Sequence, residues 1–443
     1  MIEIKGRVGW RTFNGEIVVY NCTNHNFVVW NSTASKLWTL IDKKMDIPQL
    51  ESYLQDNYCI SERKSKDDVK TFIIEGKSLG LFESDMQVDH RIAECKESNG
   101  DDLVEIEIKA ISKLIPFSVT FEATNTCNER CIHCYIEKKG KELTTSQIKE
   151  ILKSLADEGS LFLTFTGGEF FFRKDAMEIL EFASKMHFVI DILSNGVLIN
   201  SSLSKRISKL PVRRIQVSLY GSNDKTHDYV TRTRNSFANT LKSIENLLSD
   251  NVKVEIAFIL MNINFNERYE VKKLADALGC NLLMSHILTP KNNGSRKPLN
   301  YKINCDQTKE FLSDKSLSSL YYGRKPFEVH ELYLKFANIM EAAPCYGGFN
   351  FCAISAIGKV LPCNQLLYEL GDLNEKPFSE IWNNSEKLKI LRKIKIKDLI
   401  HCSSCELLRS CARCPGLALL EKDNLLDISP ISCEITTIKN NIN

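Results

Sequence analysis

Three cysteines are spaced Cys127-x3-Cys131-x2-Cys134, and eight more fall between Cys345 and Cys433. Sixteen cysteines are hard to read as disulfides here. The start, Met1-Ile2-Glu3-Ile4-Lys5, has no basic segment leading into an apolar one, and the cytosol keeps thiols reduced. Metal is the better reading. Three thiolates can hold three irons of a four-iron cube and leave the fourth open to a small molecule, whereas a structural zinc site takes four protein ligands. Thiolate spacing alone does not choose the metal, so a zinc knuckle and a pair of zinc sites are the competing readings. The scattered Cys22, Cys59, Cys95, Cys280 and Cys305 read as small buried apolar residues.

A chain of 443 residues divides into two or three domains, and an apolar content of 43% is ample for their cores. The formal charge of +2 provides no field for nucleic acid or an anionic membrane, so no such partner is expected. No apolar run is long enough to span a bilayer. The expectation is a soluble, cytoplasmic protein.

Four segments position the cysteines. Residues 1–83 open with short β-patterns at 4–10, 16–21 and 26–30, with Asn14-Gly15 as a hairpin turn. Helical patterns follow from near Thr33, Ile47 and Lys66, giving a winged-helix-like module without a basic stripe. Residues 84–115 are charged and weakly patterned, a linker with an exposed turn at 97–102. Residues 116–321 alternate strand and helix, with strands at 117–123, 161–166, 188–193, 214–219, 252–260 and 281–288. Thr144 and Gln147 form a capping box for a helix whose Ile148, Ile151, Leu152 and Leu155 share one face. Six such units imply an α/β fold with an open, partial (β/α)6 TIM-like barrel, active at its strand C-termini. Residues 322–443 form a cysteine-rich domain stabilised by metal.

Cys-x3-Cys-x2-Cys after a first barrel strand resembles the radical S-adenosylmethionine (SAM) superfamily. The resemblance implies a [4Fe-4S] cluster on Cys127, Cys131 and Cys134, with SAM chelating the open iron. It also implies that Gly167-Gly168-Glu169 meets the SAM amino group and that His133 lies beside adenine. Ser194, Asn195 and Ser218 would end strands that line the nucleoside. The segment Arg232-Thr233-Arg234-Asn235-Ser236-Phe237 resembles the family's carboxylate-binding region, with either Arg232 or Arg234 in that role. His286, near the end of the sixth strand, reads as structural.

The later cysteines resemble the SPASM extension, with its two auxiliary [4Fe-4S] clusters. Its pairing implies Cys345, Cys352, Cys363 and Cys414 for one cluster and Cys402, Cys405, Cys411 and Cys433 for the other. Without Cys352 the first would keep an open iron for a substrate thiol. The first segment resembles the peptide-recognition element of ribosomal-peptide maturation, where a leader peptide adds a strand to a sheet edge, here near 26–30. The whole chain thus resembles sactipeptide thioether synthases of the subtilosin-maturase type. That implies a cysteine sulfur to α-carbon link in a precursor peptide, and an electron donor of flavodoxin or ferredoxin type. Other links, epimerisation, sulfatase maturation and a zinc-bound peptide adaptor are the alternatives.

Overall fold

The computed structural model describes residues 2–13, 15–83, 100–137, 140–320 and 339–442. Its first part contains strands β1 (Glu3–Ile4), β2 (Val8–Phe13), β3 (Glu16–Asn21) and β4 (Phe27–Trp30). Helices Ser32–Asp42, Ile47–Tyr58 and Glu62–Ser78 follow, then β5 (Phe82–Glu83). β2, β3 and β4 form an antiparallel sheet in that order, and β1 pairs with β5. Asn14 lies outside the described residues; Gly15 takes φ +82°, the left-handed region that glycine enters without strain. The third helix starts at Glu62 rather than near Lys66 because the Ser61 hydroxyl caps it, accepting from the Lys64 N–H.

Alternation along β3 explains how this module is held. Ile17 and Val19 face its own helices, among Trp30, Trp38 and Phe72. Val18 and Tyr20 face the other way, into a core shared with Phe117, Leu161, Phe162 and Val189. Those four residues stand at or just before the N-terminal ends of the strands of the larger sheet. Arg11, itself buried, donates to the Ser160 carbonyl at 2.6 Å and to Met186 O at 2.9 Å. Trp10 donates its N–H to His187 O at 3.0 Å and stacks on the His187 ring at 4.4 Å. The outer edge of β2 is therefore docked, and among the described residues β4 is the outer strand with no further strand beside it.

The segment read as a linker contains a helix, Gly100–Lys113. Glu97, Ser98 and Asn99 of the expected turn lie outside the described residues, and Gly100 to Asp102 begin the helix. Leu103, Ile106 and Ala110 recur at helical spacing and enter the same shared core. Acidic and basic residues between them obscure that stripe.

The larger sheet has nine strands. Six are parallel and in the expected sequence: β6 (Ser118–Thr124), β7 (Phe162–Gly167), β8 (Val189–Ser194), β9 (Val212–Ser218), β10 (Val254–Ile259) and β11 (Asn281–Ser285). The cysteine-rich segment adds β12 (Phe351–Ile354), β13 (Lys359–Leu361) and β14 (Gly371–Asp372). β12 pairs parallel with β6, so barrel and cysteine-rich segment share one sheet. Among the described residues its edges are β11 and β14, and it does not close. On the helix-covered face Val119, Phe121, Phe165, Ile192 and Ile215 build the main core, anchored by the helix Thr145–Asp157 with the capping box read from Thr144 and Gln147. Among the described residues no helix is long and apolar enough to cross a membrane.

Candidate active site and auxiliary metal sites

β6 ends at Thr124, and the loop beyond it carries Cys127, Cys131 and Cys134. This loop is tied down at several points. The Glu142 carboxylate accepts from the Thr124 hydroxyl at 2.9 Å, the Thr126 hydroxyl at 3.0 Å and the Asn125 N–H at 2.8 Å. Gly168 and Glu169 donate their N–H groups to Thr124 O at 2.7 Å and Thr126 O at 2.9 Å. A Cβ at Gly167 would meet Thr124 O at 2.2 Å, and one at Gly168 would meet Thr126 O at 2.2 Å. The two glycines are thus required by the backbone of the cysteine loop itself.

Glu169 is buried and turned toward the neighbouring strand end. It accepts from the Phe171 N–H at 3.0 Å, the Ser194 hydroxyl at 2.9 Å and the Asn195 N–H at 2.8 Å. Burial pushes its carboxyl up while these donors pull it down. Asn195 Nδ2 donates to Asn128 Oδ1 at 2.8 Å and lies 3.9 Å from Cys127 Sγ. Gly167, Gly168, Glu169, Ser194 and Asn195 therefore gather around the loop of the three cysteines. His133 sits edge-on to Tyr220 at 4.6 Å, and burial holds its imidazole down at about 4. Ser218, at the end of β9, hydrogen-bonds Tyr220. Arg232 and Arg234 are both exposed, and Arg232 caps the helix Asp224–Thr231 in a left-handed conformation. His286 packs against Phe311 at 5.9 Å rather than into the site.

Sequence reasoning missed a buried chain behind Cys131. Tyr220 N–H donates to His227 Nδ1 at 3.1 Å, which leaves Nε2 to donate to Ser236 Oγ at 3.0 Å. The Ser236 hydroxyl donates to Glu129, whose other oxygen lies 3.6 Å from Cys131 Sγ. Burial pushes the Glu129 carboxyl up to about 7. A glutamate between two cysteines was the only visible signal.

The three thiols feel one another. Cys131 is raised by burial and by Cys134 and Cys127, and Cys127 is raised to about 11 by burial, with Cys134 contributing. Iron would have to displace those protons. Among the described residues no three His, Cys, Asp or Glu side chains converge on a single-ion position. One zinc ion would draw sulfurs to within about 4 Å of each other, given Zn–S bonds near 2.3 Å. A cube of irons takes thiolates from wider corners, and three cysteines on one loop are the donor set such a cube needs.

The later cysteines divide unequally. Cys411 and Cys433 are both raised by burial first, and each also feels Cys402 and Cys405. Cys363 is raised by burial and by Cys345 and Cys414, and Cys345, raised to about 11, also feels Cys414. Cys352 is not among them. Its register partner on β6 is Val119, which puts it on the helix-covered face within the main core. Burial raises its thiol, and the one charge it feels is Arg392. That guanidinium is held by Gly348 O at 2.7 Å and by the Trp382 ring. Cys352→Ala is expected to keep the full iron and sulfide content of the reconstituted protein, at about 1 kcal/mol of stability. Cys363→Ala should lose iron; equal loss in both variants would return Cys352 to the ligand set.

Residues 121–277 match the Radical SAM superfamily, and residues 345–415 match SPASM, an iron-sulfur cluster-binding domain. The AdoMet-dependent heme synthase of Methanosarcina barkeri is 28% identical over 338 residues, covering 71% of this chain and 95% of that protein. The antilisterial bacteriocin subtilosin biosynthesis protein AlbA of Bacillus subtilis is 28% identical over 278 residues, 61% of this chain and 60% of that one. The structure of Streptococcus suis SuiB bound to precursor peptide SuiA superposes with a TM-score of 0.60 at 16% identity, covering 98% of this chain and 100% of that chain. The cysteine loop and the glycine pair packed on it stand inside the first match and the later cysteines from Cys345 to Cys414 inside the second, with Cys433 beyond it, and the chain belongs to the radical SAM superfamily as an enzyme with a SPASM extension.

Proposed function

We propose that this enzyme modifies a ribosomally made precursor peptide, joining a cysteine sulfur to an α-carbon. The observation that carries the reading is the first module: its three-stranded sheet leaves β4 as an outer strand, and the likeness to peptide-bound SuiB extends over 98% of the chain. A leader segment pairing with β4 would gain backbone hydrogen bonds there, with specificity from side-chain pockets. Relatedness to AlbA supports the same substrate class.

Cys127, Cys131 and Cys134 would hold a [4Fe-4S] cluster with one iron open to SAM, and when reduced that pair supplies a 5′-deoxyadenosyl radical. The chain's own residues orient it. Glu142 and the glycine pair fix the cysteine loop, while Glu169 holds Ser194 and Asn195 in place. His133 and Tyr220 supply aromatic faces at the site. Cys402, Cys405, Cys411 and Cys433 would hold a second cluster. Cys345, Cys363 and Cys414 would hold a third. Electrons would come from a flavodoxin or ferredoxin in the cytoplasm.

A second reading, action on a haem precursor, is favoured by the 28% identity to the heme synthase over 71% of the chain. One experiment separates the two. Coexpression with a short cysteine-rich peptide encoded beside the enzyme is expected to give a product lighter by two hydrogens per link. An unchanged peptide mass with altered stereochemistry would mean epimerisation. Conversion of an iron porphyrin with an untouched peptide would overturn the peptide reading.

A further inference from the structure

The inner face of the large sheet, opposite the helix-packed core, is lined by alternate residues of the parallel strands. Across one level run Thr120, Thr164, Asp191 and Arg214, which are register partners in turn. Charges on this face satisfy each other. Arg214 pairs with Glu255 at 2.5 Å and with Asp191 at 3.2 Å, and Asp191 also pairs with Arg213. Two residues further along β6, toward the cysteine loop, stands Glu122, level with Thr166. It is 8% exposed, and among the described residues it makes no hydrogen bond and no ion pair.

A carboxyl largely withdrawn from water without a donor or cation is costly unless it stays neutral or meets a partner from outside the chain. Burial alone pushes Glu122 up to about 7, the range in which a carboxylate can both take and release a proton. The titratable group that feels it is Tyr135, whose phenol is raised by burial and secondarily by Glu122. Tyr135 follows Cys134 directly, so Glu122 looks toward the end of the sheet where the cysteine loop lies.

We propose that Glu122 takes the proton that leaves the peptide's thiol as the sulfur–carbon bond forms, an assignment that rests on the cross-linking reading above. The α-carbon C–H bond breaks with its hydrogen atom passing to the deoxyadenosyl radical. The S–H proton goes to the Glu122 carboxylate, and the S–C bond forms. The surplus electron passes to an acceptor of the iron–sulfur class. Glu122 is the one titratable group on this face, among the described residues, left free to serve.

The test uses the reconstituted full chain with SAM, reductant and a peptide that the wild-type enzyme links, measuring deoxyadenosine and linked peptide together. In Glu122→Gln the ratio of deoxyadenosine to link should rise by about 10²-fold, the usual contribution of a general base. Glu122→Asp, which keeps the carboxyl, should bring that ratio back toward wild type. An unchanged ratio in Glu122→Gln, whether both products fall or neither does, overturns the assignment. Absence of any link with the wild-type enzyme would instead sink the cross-linking reading itself.

Discussion

Simultaneous replacement of Cys127, Cys131 and Cys134 by alanine should abolish deoxyadenosine formation while leaving the auxiliary iron in place. All three lie in one loop after β6, whose backbone is anchored mainly by Glu142 and by the glycine pair, the thiols adding one bond from the Glu129 N–H to Cys127 Sγ at 3.3 Å. The loop should therefore keep its path when the thiols are gone. The later cysteines belong to other loops, so iron should drop by about four atoms per chain, one cube's worth, and not to zero. Iron analysis and chromatography of deoxyadenosine check both halves. Undiminished deoxyadenosine would remove the basis for any radical chemistry here.

Gly168→Ala should cost nearly as much, for a steric reason. Its Cβ would sit 2.2 Å from Thr126 O and 2.6 Å from Thr126 C, both backbone atoms with no rotamer to move away. Relief requires the strand end after β7 to separate from the cysteine loop. A shift of about 1 Å in a positioned group costs on the order of 10²-fold in rate, and this contact orders both the cysteines and Glu169. Overpacking of this kind costs about 1–3 kcal/mol of stability, so the variant should still fold. SAM cleavage at the wild-type rate in folded Gly168→Ala would show that this contact does not set the geometry.

The parallel strands and the first cysteine loop were legible because their signals are local: apolar runs of strand length, a capping box and three thiols at fixed spacing. The order of the six strands follows from the same alternation. Less could be read where the answer depends on long-range pairing. β12 is only four residues long, and nothing in Phe351-Cys352-Ala353-Ile354 announces a partner more than two hundred positions earlier. The resemblance implies Cys352 together with Cys345, Cys363 and Cys414, and its strand register sets its side chain in the core against which Cys363 and Cys414 also pack. The helix Gly100–Lys113 hid behind its charges. The resemblance gives Glu169 a role toward SAM, and the structure adds that it braces the next strand end through Ser194 and Asn195. Arg232 and Arg234 remain alike, both exposed, and sequence pattern cannot rank them.

The first module grips the barrel beside Phe117, Phe162 and Val189, where the strands start, and the thiol loop follows Thr124, where β6 stops. A seven-residue strand separates the two, roughly 20 Å at 3.3 Å per residue. Any molecule held at both places needs a tether of at least about six extended residues. The enzyme would then act as a ruler, choosing its site of attack partly by distance along the tether.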